Sequence, residues 1–137
     1  MRGLYDMLLH KEVALEDLSF EIAFCEKLLE KNPTLIEAMI LLGELYSREG
    51  FHEKGLAVDL QLVALRPKDP IVHYNLACSY SLLKQPEEAL RALEQSIVLG
   101  YDDFQFLQKD SDLRSLRQDP RYQDLIKKYL KKSPQSS

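Results

Sequence analysis

The sequence contains no tryptophan and few of the residues that punctuate a chain, with 5 glycines and 6 prolines in 137 residues. So few breakers argue against many short strands joined by glycine-rich turns and favour long helices. Cysteine is scarcer still. Cys25 and Cys78 stand far apart, with no CxxC pairing and no neighbouring histidine. That leaves neither a zinc site nor a disulfide framework, and both thiols read as small buried apolar residues. No run of roughly 18 apolar residues occurs, which excludes a membrane-spanning helix. Asp6, Lys11 and Glu12 interrupt the amino terminus where a signal peptide would need an unbroken apolar stretch, so the expected compartment is the cytoplasm.

What is present is a globular balance, 45% hydrophobic and 29% charged, far from the composition of chains that stay disordered. The length suits one domain or one short repeat array and suffices to bury a core without metal or disulfide support. The formal charge of -4 speaks against a nucleic-acid binder, which needs a basic footprint. The charge is uneven: residues 1–110 carry 11 Lys and Arg against 19 Asp and Glu, residues 111–137 carry 7 against 3. Lys127, Lys128, Lys131 and Lys132 belong to the basic end. They could meet RNA or an anionic membrane surface, but a solvated helix face is the simpler reading.

An internal repeat organises the chain. At a spacing of 34 residues, Leu8, Leu42 and Leu76 match, as do Ile22, Leu56 and Leu90, and Leu29, Val63 and Ile97. Pro33 with Pro67, Tyr46 with Tyr80, Glu53 with Glu87 and Leu65 with Leu99 keep the same interval, and small residues follow it at Gly43 with Ala77 and Gly55 with Ala89. Within a unit the apolar period is helical: Met39, Leu42 and Tyr46 form one stripe, and Leu56, Leu60 and Val63 form another. Thr34 with Glu37 reads as a capping box starting a helix at Thr34, and Gly50 ends that helix. Asp69-Pro70 and Gln85-Pro86 read as helix starts, and Gly100 as a stop.

These residues resemble the tetratricopeptide repeat (TPR) family, whose 34-residue helix-turn-helix unit places a bulky residue, a Leu, a small residue, a Tyr, an Ala and a Pro at set positions. Residues 36–69 supply Met39, Leu42, Gly43, Tyr46, Gly55 and Pro67; residues 70–103 supply His73, Leu76, Ala77, Tyr80, Ala89, Leu93 and Ser96. Asp59 stands where the pattern has a large aromatic, and Tyr101 where it has its final proline. Residues 2–35 resemble a degenerate repeat, with a short first helix over 3–10 and a second striped by Leu15, Leu18, Ile22, Cys25, Leu28 and Leu29. Residues 104–132 read as capping helices. The last starts at Asp119-Pro120 and carries Tyr122, Leu125, Ile126, Tyr129 and Leu130 inward, and 133–137 read as a disordered tail. The expected fold is therefore all-α, an α-α superhelix of about three helix pairs with a helical cap, forming one domain over 1–132.

The resemblance implies a concave surface lined by the first helix of each pair: Glu37, Ile40, Leu41, Glu44 and Arg48 in one unit, and Ile71, Tyr74, Asn75, Cys78, Ser81 and Leu82 in the next, with Asp6 and His10 extending it. Such a groove suits an extended peptide or an amphipathic helix with apolar anchors and some basic residues. Packing of these side chains on the tail or on a neighbouring subunit is the competing reading. TPR domains that clamp the carboxylate end of heat-shock chaperones use Lys, Asn and Arg at inner positions. Here those positions hold Asp6, His10, Leu41, Asn75 and Ile71, and Asn75 alone matches, which disfavours that role.

No nucleophile elbow, Walker motif or HExxH occurs, and no cofactor or metal is expected. His73 falls on a core position and His52 near a helix start, where exposure is expected; Glu87-Glu88 and Asp102-Asp103 sit in a first turn or loop, where acids suit the helix dipole. The expected function is a protein-interaction adaptor. The alternatives are a scaffold that self-assembles end to end as a homo-oligomer, and a secretion-type chaperone for an unfolded segment.

Overall fold

A computed structural model of the protein describes residues 18–131. The described residues are all-α, with no strand among them: α1 (Ser19–Lys31), α2 (Ile36–Arg48), α3 (His52–Leu65), α4 (Pro70–Leu82), α5 (Pro86–Val98), α6 (Phe104–Lys109), a 3-10 turn (Ser111–Leu113), α7 (Arg114–Arg117) and α8 (Pro120–Leu130). The predicted first helix over 3–10 and the tail 133–137 lie outside the described residues. The chain divides into two compact units, one ending at Val58 and the other starting at Asp59.

The helix boundaries follow from how the chain satisfies the backbone groups that each helix end leaves without partners. Asp69 accepts the Ile71 N–H at 2.9 Å ahead of Pro70, and Asp119 accepts the Arg121 N–H at 2.9 Å ahead of Pro120, both as the Asp-Pro pairs predict. The capping box at Thr34 does not form. α2 begins at Ile36, its cap residue is Leu35, and no side chain takes a cap hydrogen bond, so Glu37 serves only as a first-turn acid.

The stops are three copies of one motif. After α2, the Phe51 N–H donates to the Tyr46 carbonyl at 2.8 Å and the Gly50 N–H to Ser47 at 3.1 Å, with Gly50 at φ 81°. After α4, Gln85 donates to Tyr80 and Lys84 to Ser81 with Lys84 at φ 59°; after α5, Tyr101 donates to Ser96 and Gly100 to Ile97 with Gly100 at φ 119°. This paired closure is the Schellman motif. Lys84 lies one repeat interval after Gly50, so the backbone keeps the left-handed turn even where the glycine has been replaced.

In the first unit α1 packs on α2. Leu18, Ile22 and Cys25 are buried, as are Met39, Leu42, Leu45 and Tyr46. The Tyr46 hydroxyl donates to Glu26 Oε2 at 2.5 Å, fastening the end of α2 to α1, and the Phe51 ring meets Tyr46 edge-on with centroids 6.4 Å apart.

In the second unit α4 packs on α5, and Val72, Leu76 and Ala77 of the one and Ala89, Leu93 and Ile97 of the other are buried. Ser96, fully buried, donates to the Pro70 carbonyl at 2.7 Å and ties α5 to the start of α4. His73 is a packed structural histidine, its Nε2 2.8 Å from the Pro67 carbonyl. In the first unit, His52 departs from expectation: it is half-buried, and its Nδ1 is enclosed without a hydrogen-bond partner.

The expected stripe on α3 is also shifted. Leu60 is exposed and Leu56 and Val63 are half-buried, while Gly55, Val58, Asp59 and Leu62 take the inner positions. Hydropathy could not place Gly55 and Asp59 inside, because one has no side chain and the other is charged. Asp59 is buried because it accepts the Ser79 hydroxyl.

The segment after Tyr101 closes the second unit. Its 3-10 turn and α7 lie against α4, and α8 lies against α5 and α7. Leu107, Leu113, Leu116 and Tyr122 are fully buried. The Leu107 carbonyl, in the last turn of α6, accepts Arg117 Nη1 at 2.7 Å and the Tyr122 hydroxyl at 3.5 Å, so this short helix is held by the two helices that follow it.

Candidate functional site

The residues expected to line a groove divide into two groups. On α2, Glu37, Glu44 and Arg48 are exposed, Ile40 is half-buried and Leu41 is buried. On α4, Ile71 is exposed and Asn75 and Leu82 are half-buried, whereas Tyr74, Cys78 and Ser81 are buried. Asp6 and His10 lie outside the described residues.

Tyr74, Cys78 and Ser81 do not line an open surface, because the segment Tyr101–Ser115, the tail of the second unit, occupies their side of α4. The Tyr74 ring stacks on Tyr101 with centroids 4.6 Å apart and an 8° tilt, and Phe106 approaches it at 6.2 Å. Its hydroxyl donates to Asp110 Oδ2, and the Cys78 thiol donates to the same oxygen at 3.7 Å. One turn further on, the Ser115 hydroxyl donates to the Ser81 carbonyl at 3.3 Å, with the two Oγ atoms 3.4 Å apart. Spacings of four and three along α4 put Tyr74, Cys78 and Ser81 on one helical stripe, and the tail presents a ring, a carboxylate and a hydroxyl to it in turn.

Burial and a carboxylate together determine the protonation of this cluster. The Tyr74 phenol is pushed far above its ordinary range by burial first, then by Cys78 and Asp110. The Cys78 thiol is pushed well up by burial and then by Asp110, and Tyr101 is pushed up to about 12, again mainly by burial. Two neutral donors held on one carboxylate make a structural clasp; a thiol this reluctant to ionise is a poor nucleophile.

Cys78, Asp110 and Asp112 bring their ligand atoms within 4.8 Å of one another. Asp110 already takes the Tyr74 and Cys78 hydrogens on one oxygen and the Asp112 N–H at 3.0 Å on the other, so the cluster is accounted for by hydrogen bonding.

Sequence reasoning did not single out Phe106, Asp110 or Ser115 as contact residues. Ser115 lies 34 residues after Ser81, and extending the repeat interval past residue 103 would have found it. Asp110 and Phe106 carried no such signal, since the first meets α4 at separations of 36 and 32 residues.

No protein-family model matches the chain, and no solved structure matches it. It is similar to a chloroplastic protein of Arabidopsis thaliana, with 32% identity over 90 residues, covering 64% of this chain. The chain spans only 27% of that protein's length.

Proposed function

We propose that the chain is a tetratricopeptide-like interaction module that binds a peptide or amphipathic helix of a partner protein and carries no catalytic activity of its own. The supporting observation is contact at the repeat interval: Ser81 meets Ser115, and Glu94 meets Lys128 at 3.2 Å, each pair 34 residues apart. Helices that touch through like positions are stacked by near-translation, which sets equivalent faces side by side as solenoids do. In the first unit, the face of α2 that the core leaves unused offers Glu37, Glu44 and Arg48 around a half-covered Ile40. The absence of chemistry is supported by the reactive side chains themselves, since Cys78 is buried with its thiol pushed up and His73 is tied to a backbone carbonyl.

No helix among the described residues is long and apolar enough to cross a membrane. We assign the cytoplasm as the working compartment; the name of the similar Arabidopsis protein makes the chloroplast the alternative.

The reading is tested by titrating isotope-labelled protein with synthetic peptides of basic-apolar, acidic-apolar and purely polar composition while following backbone amide shifts. Saturable shifts confined to outward residues of α2 or α4 are expected. A spectrum unmoved by every peptide would overturn the proposal.

A further inference from the structure

We infer that the chain pairs with a second copy of itself through the outward face of α1, the two helices lying antiparallel across a two-fold axis around Phe20 and Phe24. The inference does not depend on the interaction-module reading above.

Phe20 is 77% exposed and Phe24 57%. Four residues apart, they stand one above the other on one side of α1. Ile22 and Cys25 are buried and mark the opposite side, where α2 packs. Helical spacing puts Phe20, Ala23, Phe24, Lys27 and Lys31 on one outward strip, and all five are exposed. A single apolar residue in water needs no explanation. Two adjacent aromatic rings on a helix whose other side is already covered form a contact surface.

Charge decides the occupant. α1 carries Glu21, Glu26 and Glu30 against Lys27 and Lys31. Glu26 accepts the Tyr46 hydroxyl, while helical spacing sets Glu21 and Glu30 on the two edges of the strip. The acidic end of the helix is its start, where the sequence also has Glu16 and Asp17 just before Leu18, and the lysines lie in its second half. A parallel pair would set lysine against lysine. An antiparallel pair brings Glu21 of each copy towards Lys31 of the other and opposes the helix dipoles. An anionic membrane or an acidic helix would meet the three glutamates of α1 along with its two lysines. The other described residues of the first unit add Glu37, Glu44, Glu49 and Glu53 against Arg48 and Lys54, which turns anionic partners away further. The strip therefore complements itself better than it complements a surface of one sign.

Area sets the strength. Two phenylalanines and two lysine stems offer on the order of 400 Å² per copy, about half of the roughly 800 Å² that each side of a standard complex buries. The pair is accordingly weak and reversible, half-formed at roughly 0.1 mM. Because one patch meets its own copy, association closes at two chains and does not propagate end to end. Two joined copies present every remaining surface twice, so a partner with a repeated motif is held by avidity.

The test is sedimentation equilibrium of the full chain over concentrations from about 10 µM to about 1 mM. The average mass is expected to rise from 15.9 kDa towards twice that value. Amide shifts that change with concentration should centre on residues 19–31. Phe20→Gln with Phe24→Gln should weaken association at least about tenfold. Both side chains are exposed, so the variant should melt as the wild type does; if it does not, the wild-type amide shifts locate the contact by themselves. Glu21→Lys and Lys31→Glu should each associate less than wild type, since each sets like charges together at two symmetric places. An equimolar mixture of the two should regain association, because both contacts then join opposite charges. A constant mass at every concentration overturns the inference, whether the face is then free or taken by residues 1–17. Growth beyond two copies, association that ignores the phenylalanine variants, or a mixture as weak as its components overturns it equally.

Discussion

The rings of Tyr74 and Tyr101 lie nearly parallel, 8° apart in tilt with centroids 4.6 Å apart, which joins the middle of α4 to the residue that completes the turn after α5. Around that stack the tail is fastened to α4, so its energetics can be probed one group at a time. Tyr101→Ala should remove the stack and leave a cavity, costing about 3–5 kcal/mol. Tyr74→Phe keeps the ring and deletes only the hydroxyl donated to Asp110, costing about 1–3 kcal/mol. Urea unfolding of both variants checks the order; a larger loss for Tyr74→Phe than for Tyr101→Ala would show that the hydrogen bond, not the stack, holds the tail.

Lys84 keeps a left-handed φ of 59° without being glycine. Removing its Cβ relieves that conformation, so Lys84→Gly should stabilise the protein by about 1 kcal/mol. Gly50→Ala is the converse. An added Cβ there meets nothing within 4 Å, so the whole effect lies in φ, and a loss of about 1 kcal/mol is expected. Thermal melts of the two variants should move in opposite directions.

At the start of α8, Asp119 accepts both the Arg121 backbone N–H and its guanidinium, at 2.9 and 2.8 Å, which holds its carboxyl down at about 2 against an ordinary 3.8. The folded value lies below the unfolded one. This contribution is therefore complete above pH 3.8 and is lost as the pH falls towards about 2. Asp119→Asn keeps a capping side chain but cannot titrate. The stability gap between wild type and variant should narrow over that window in pH-dependent melts, and a constant gap would contradict the assignment.

The tyrosines give the opposite sign. Tyr101 rises from 10.0 to about 12, and burial pushes Tyr46 and Tyr74 upward as well, so the folded state disfavours the phenolates. Stability is full below the unfolded value and falls as the pH climbs from 10.0 towards about 12. Spectrophotometric titration should show late-ionising tyrosines in the native protein that become ordinary in urea. Tyr101→Phe should lessen the alkaline loss.

Much of the local structure was legible in the residues. Asp69-Pro70, Asp119-Pro120 and the glycines at 50 and 100 mark helix ends because each acts on its own backbone within three residues. The capping box at Thr34 misled for the same local reason, since the motif was present but the chain entered α2 through Leu35 instead. The face of α3 was misplaced because Gly55 and Asp59 sit inside although hydropathy marks neither, and the buried Asp59 carboxylate accepts the Ser79 hydroxyl, a partner 20 residues away.

The 34-residue return of like side chains, and with it the all-helical pairing, was determined by the sequence alone, because periodic apolar spacing and helix ends depend only on near neighbours along the chain. Which face of α4 stays open was decided by the tertiary structure. Tyr74 and Asp110 are 36 residues apart, and nothing local records that a carboxylate from the tail will meet that hydroxyl and draw the tail over the helix. Hydrophobic pattern selects the side of a helix that leaves water; only the arrival of a specific partner decides which of its polar groups can follow.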